Sequence, residues 1–305
     1  MLQERSSRRL TARIALIFAI GVLALKPLIA NAQVQPPVGL GTADSFAVLA
    51  GQGVTNTGPT VVNGDLGTSP NPPVTGFPPG TVNGAIHEAD AVALQAQSDL
   101  TTAYNDAAGR TPVQTIATEL GGQTLTPGVY NSLSGTFEIV AGGTLTLDAQ
   151  GDPDGVFIFQ MASTLVTFDS SDVNLIGSAS PCNVFWQVGS SATLGTNSNF
   201  TGTIMALTSI QVLTNVVVDG RVLARNASVT LDDDDIDASA CIAAPSPSTS
   251  PSPTSQVTPV PSGGVQTGIG PTAGSQDVGL LVLGAALLLA AAGTFAIRRR
   301  AMRHE

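Results

Sequence analysis

The sequence predicts a mainly β fold of stacked coils, a β-solenoid with one long α-helix alongside. Three observations carry that expectation. After Gly155 the chain can be written as four imperfect rows, VFIFQMASTLVTFDSSDVNLIG, NVFWQVGSSATLGTNSNFTG, TIMALTSIQVLTNVVVDG and RVLARNASVTLDDDDIDAS. Each opens on an apolar strand, continues into a Ser/Thr-bearing strand and ends in a third short strand with Gly or Asp at the corner, as coils of a solenoid do. Only Ala85 to Ala108 has helical character, being Ala-rich, free of Gly and Pro, and apolar at near-helical spacing. Hairpin signals are rare, since Asn-Gly occurs only at 63–64 and 83–84, which disfavours an antiparallel sandwich.

Taken in chain order, residues 1–32 read as a signal peptide: basic Arg5 to Arg13, apolar Ile14 to Leu25, then Pro27 and the small-x-small site Ala30-Asn31-Ala32. Residues 33–243 are left for one domain. Within it the helix expected at 85–108 stops at Gly109, and His87-Glu88 is read as its first turn, with Glu88 near the positive end of the dipole. The runs at Val156–Gln160, Val184–Gln187, Ile204–Ala206 and Val222–Ala224 are apolar at consecutive positions, so both faces of that sheet must be covered. The helix is the available lid, expected over Phe157, Phe159 and Trp186.

Residues 244–277 form a Pro/Ser/Thr-rich spacer. Its VQTGIG motif at 265–270, followed by the apolar segment 278–297 and the basic tail 298–305, resembles a degenerate sorting signal of the kind that links surface proteins to the bacterial wall. Retained as a helix, 278–297 would cross a bilayer with Arg298–Arg300 left inside. Either way the domain is expected to be exported and held at the cell surface, attached to membrane or wall by its C-terminus, as a monomeric ectodomain.

A formal charge of −10 argues against nucleic acid as a partner. Five of the 12 Lys+Arg precede residue 27 and four follow 297, leaving Arg110, Arg221 and Arg225 between. With two His and two Cys besides, most acid–base, phosphoryl-transfer and metal chemistries lack their parts; no catalytic residue, metal or cofactor is assigned, and the protein is not expected to be an enzyme. Asp232–Asp235 with Asp237 could attract Ca²⁺, but adjacent strand residues point to opposite sides, and a solvated corner is the simpler reading. A polysaccharide lyase would need Arg221 or Arg225 beside such carboxylates. Cys182 and Cys241, the only cysteines in an exported chain, are expected to form a disulfide.

A second column of the rows alternates. Ala192 and Leu194, Ile210 and Val212, and Val229 and Leu231 would point into the core; Ser191 and Thr193, Ser209 and Gln211, and Ser228 and Thr230 would point out, with Thr164 and Val166 one coil earlier. Exposed sheets normally carry Lys and Glu, yet this outward set is small, mostly hydroxylated and uncharged. Thr is a good strand former, which explains any single Thr but not a whole face. Stacked coils would repeat these groups about every 4.8 Å in one direction and about 6.6 Å along a strand. Such a grid of methyls and hydroxyls matches a lattice of ordered water. A polysaccharide-binding adhesin is the alternative, but Trp 1 and Tyr 2 leave few aromatic platforms for sugars.

The stretches LGTADSFAVLAG (40–51), VVNGDLGTSP (61–70), GGQTLTPGVY (121–130), LTLDAQGDPDGVFIFQ (145–160), NVFWQVGSSATLGTNSNFTGTIMA (183–206) and GRVLARNASVTLD (220–232) resemble the widespread microbial ice-binding protein family. The resemblance implies an irregular right-handed β-solenoid of three faces with a helix packed alongside, and ice as the ligand of one flat face. Carried over by motif, that face includes Thr55, Val166, Thr193, Gln211 and Thr230. Val166 and Gln211 stand where Thr would fit better.

Overall fold

The computed structural model describes residues 35–242. The expected signal peptide, spacer, sorting-like motif, apolar segment and basic tail lie outside the described residues. No described helix is long and apolar enough to cross a membrane.

Every coil passes through three faces of parallel strands. Face A runs, in spatial order, through Val113–Ile116, Gly128–Ser132, Phe157–Met161, Val184–Val188, the second halves of Asn199–Ala206 and Val217–Ala224, then Phe46–Ala50, Asp65–Thr68 and Ile86–Glu88. Face B is a separate seven-stranded sheet in the order Phe137–Ile139, Leu165–Thr167, Ala192–Leu194, Ile210–Val212, Val229–Asp232, Val54–Thr57, Val74–Thr75. Face C holds Thr124–Leu125, Thr144–Asp148, Asp172–Ile176, the first halves of the two eight-residue strands, then Asp235–Asp237, Val61–Asn63 and Thr81–Val82.

Stacking order is not chain order. The N-terminal strand Val54–Thr57 pairs with Val229–Asp232 of the last coil, and Val61–Asn63 pairs with Asp235–Asp237. The first coils therefore extend the stack beyond its C-terminal end. Helix α1 (Ala91–Gly109) carries the chain back along face A to the other end, its Gln97 side chain donating to the Ala224 carbonyl and its Ala107 carbonyl accepting from Gln160.

The helix begins six residues later than the sequence suggests. Ile86–Glu88 pairs in register with Leu66–Thr68, so strand bonding outweighs the Ala-rich helical propensity of that stretch. Ala89 then takes φ 50°, and Asp90 caps the helix by accepting from the Ala93 N–H at 2.8 Å. His87 is thus a strand residue, its Nδ1 2.7 Å from Asp90 Oδ2 and its ring against Phe46.

The helix does cover face A, but over the other set of side chains. Ala96, Leu100, Ala103, Tyr104 and Ala107 pack on Ile158, Phe185, Met205 and Leu223. Phe157, Phe159 and Trp186 point instead into the solenoid, where Phe159 and Trp186 stack at 4.0 Å with Tyr130 and Phe200 on either side. The Trp186 indole N–H donates to the Thr201 carbonyl at 3.0 Å. On a sheet covered on both sides, both strand parities are apolar, so alternation cannot say which one meets the helix.

From face B to face C each coil turns on one left-handed residue: Gly142, Ser170, Asn197, Asn215, Asp233 and Gly58. Asn, Asp and Gly adopt that conformation at low cost, which is why these residues punctuate the rows. The turn column is itself bonded, Asn215 donating to Asn197 at 2.7 Å. Cys182 and Cys241 are disulfide-bonded, joining the turn that opens Val184–Val188 to the last described residues.

Candidate functional site

Face B is the flat sheet that holds the sequence-derived outward column. Its in-register central row reads Glu138, Val166, Thr193, Gln211, Thr230, Thr55, Thr75. Leu165, Ala192, Ile210, Val229 and Val54 alternate with these and are buried, which fixes the row to the outside. Beside it runs Thr164, Ser191, Ser209, Ser228 and Gly53, each lending its carbonyl to the amide of the neighbouring coil at 3.0–3.3 Å. All nine residues singled out from the sequence therefore share one face. Gln211, Thr230 and Thr55 are exposed; the others are half-buried, shielded by their neighbours in the row.

Charge is absent from the central row of this face except at one edge. Glu138 occupies the row at its outer edge, and Asp232 stands opposite Thr57 in a third row toward the corner. The column read from the sequence starts one coil too late and stops one residue too early to include either. From Val166 to Thr75 the central row is neutral over six adjacent strands. The far end of the third row is apolar, with Val140 and Phe168 exposed. Between residues of the two main rows, Ser191 Oγ bonds to Ser209 Oγ at 2.9 Å and accepts a long contact of 3.5 Å from the Ser209 N–H; Thr75 Oγ1 adds a long contact of 3.4 Å to the Val54 carbonyl.

Thr75 is the position of this row that the sequence column does not include. Its strand is two residues long and lies in a Pro-rich loop. The signal was a repeated Val-Thr pair, at 54–55, 74–75 and 229–230, in which Val points in and Thr out. Thr55 lies between Thr230 and Thr75 although it is far from Thr230 in the chain, so the grid is closed by N-terminal coils.

The residues weighed for other chemistry have other employment. Arg221 is buried and donates to the Asp44 carbonyl and carboxylate, the latter at 2.8 Å. Burial holds its guanidinium below the usual arginine range, while Asp44 acts the other way. Arg225 lies over the Tyr104 ring at 4.7 Å. Neither faces the Asp232–Asp235 corner as a lyase would require. There, Asp234 is buried and takes N–H bonds from Val216 and Asp232 at 2.9 and 2.7 Å, and its own N–H donates to Thr60. Burial pushes its carboxyl up to about 7 in spite of those two donors. The corner is thus a backbone-bonding turn. Among the described residues, no group of three His, Cys, Asp or Glu side chains is placed to hold a metal ion.

Residues 48–237 match the Ice-binding-like family model. The chain is 51% identical over 195 residues to an ice-binding protein of Nostoc sp. strain HG1, covering 63% of this chain and 71% of that one. It is 33% identical to ice-binding protein 1 of Shewanella frigidimarina, over 75% of this chain but only 29% of that longer protein. A crystal structure of an ice binding protein from an Antarctic biological consortium superposes with a TM-score of 0.65 at 49% identity, covering 66% of this chain and 91% of that one.

Proposed function

Because the chain belongs to the ice-binding-like family, we propose that it adsorbs to ice through face B, and that it does so outside the cell, held by its C-terminal segment. The observation that carries this reading is the neutral row from Val166 through Thr193, Gln211, Thr230 and Thr55 to Thr75. A charged side chain would keep its own hydration shell and break any lattice of water. Thr offers a methyl around which water can order and a hydroxyl to which it can bond. Parallel stacking sets the row at a fixed spacing of about 4.8 Å across six strands, and Thr193, Thr230, Thr55 and Thr75 present that pair at four of them. The helix-backed, aromatic-filled core keeps the sheet stiff, so little ordering remains to be done at contact. Adsorbed molecules pin the growth front, which must bulge between them at a cost in surface energy, and both ice growth and recrystallisation slow.

The purified chain should shape growing ice crystals, and Thr193→Tyr should abolish the effect while leaving the circular dichroism spectrum unchanged. Unmodified crystals with the unaltered chain would overturn the reading. Surface display has its own check: protease treatment of intact cells should remove residues 33–243, and protection from protease would place the domain elsewhere.

A further inference from the structure

The disulfide sits where the described chain leaves the solenoid. Strand Asp235–Asp237, just before it, is three residues long and is held by three register pairs to Val217–Ala224 and three to Val61–Asn63. With Val229–Asp232 it forms the seam at which the N-terminal coils join the rest. A pull on the chain beyond Ile242 would meet this seam first, loading short strands one rung at a time. Its loss would take Thr230 out of face B and separate Thr55 and Thr75 from the other coils.

Cys182 lies at a much stronger point. It opens strand Val184–Val188, which has five register pairs with Phe157–Met161 and four with Asn199–Ala206. Trp186 of that strand stacks on Phe159 inside the solenoid, and Phe185 is covered by the helix outside. Cys182 and Cys241 are 59 residues apart, and their Cα atoms are 5.2 Å apart. A load entering at Cys241 can therefore cross directly to the middle of the stack.

We propose that the Cys182–Cys241 bond is a force clamp, making this domain an anchor that works under tension. Pull arriving from the C-terminal segment passes through the disulfide into Val184–Val188 instead of peeling residues 183–240 away from their C-terminal end. That segment holds Ser191, Thr193, Ser209, Gln211, Ser228 and Thr230, so the face is not unzipped from its C-terminal end while the molecule is stretched. The sequence after Ile242 suits a tether, being Pro/Ser/Thr-rich through the spacer and then continuously apolar before Arg298–Arg300. The use of the clamp rests on the ice-binding reading; its mechanics do not.

The test is optical-tweezers pulling of the mature chain, oxidised or treated with dithiothreitol, in two geometries. In the first, handles are attached at the two chain ends; in the second, at the N-terminal end and at an azide-bearing residue replacing Ser178. With end handles, reduction should lower the force of the first unfolding event and lengthen the extension released by about 200 Å, the contour of the freed loop. With the Ser178 handle, reduction should leave the unfolding force unchanged. An equal fall in both geometries would mean that the bond acts through overall stability, and no fall in either would mean that it carries no load; both overturn the proposal. Reduction of the folded protein avoids reliance on Cys182→Ser/Cys241→Ser, which would serve as a repeat if it folds. Ice adsorption of unstretched protein is measured alongside: its absence in both redox states would sink the ice-binding reading while leaving the mechanical result standing.

Discussion

Faces B and C are built by the same coils, with the same parallel stacking and inward parity, yet they present opposite surfaces. Across face C the outward rows read Thr144, Asp172, Asn199, Val217, Asp235, Val61, Thr81, and beside them Thr146 with Asn174, then Asp219, Asp237 and Asn63. Its side chains bond to one another, Asn199 to Asp172 at 2.7 Å and Asn83 to Asn63 at 2.8 Å. Face B has one such bond between side chains in its two main rows. The comparison separates two things that the word solenoid merges. Regular spacing comes from the backbone and is common to both faces; a central row free of charge, on which the proposed adsorption rests, belongs to face B.

The largest test sets the faces against each other. Thr230→Tyr on face B should abolish crystal shaping, whereas Asn174→Tyr, exposed on face C, should leave it intact. Both should stay within about 0.5 kcal/mol of the parent in urea melts, as surface changes do. Equal loss of shaping from Asn174→Tyr would erase the distinction. A change in what the faces share comes next. Trp186→Ala should cost about 3–5 kcal/mol in stability, because its ring fills the space between them, and crystal shaping should fail only at temperatures where the fold does. Smaller still, Glu138→Thr combined with Val166→Thr should raise activity by extending the neutral hydroxyl row to the edge strand. An unchanged hysteresis would confine the working surface to the coils from Thr193 onward.

Much of this comparison can be read in the sequence, because strand parity is a local property. The alternation in ATL, IQV and VTL assigns Thr193, Gln211 and Thr230 to the outside, where they are found. Parity fails on face A, where a helix covers one side and the core the other, so the sequence alone puts Phe157, Phe159 and Trp186 in the wrong layer. The helix start was hidden by a competition that only tertiary pairing decides, between Ala-rich propensity and the ladder of Ile86–Glu88 on Leu66–Thr68. The order of coils was not legible either. Nothing local to Val54–Thr57 says that its partner is Val229–Asp232, and so the neighbours of Thr55 and the place of Thr75 emerge only from the stack.

The smallest predicted effect is also the one that separates activity from stability. No titratable group lies in the neutral stretch of face B, so crystal shaping should be flat between pH 5 and 8. Stability should not be. Asp234, at the corner between the two faces, has its carboxyl raised to about 7 from an ordinary value of 3.8. It holds a proton more tightly folded than unfolded, so its contribution is complete below pH 3.8 and is lost as pH rises toward 7. Between those limits one group can contribute a slope of up to about 1.4 kcal/mol per pH unit. Asp99 is held low by the Thr42 N–H and hydroxyl, and Asp106 by Arg110; their contributions are present above pH 3.8 and are lost as pH falls through their lowered folded values. Urea melts from pH 3 to 8 should therefore pass through a maximum at mildly acidic pH, and Asp234→Asn should flatten the limb above it. Crystal shaping that followed the same curve would tie activity to the corner carboxylate and remove the electrostatic independence on which the contrast between the two faces depends.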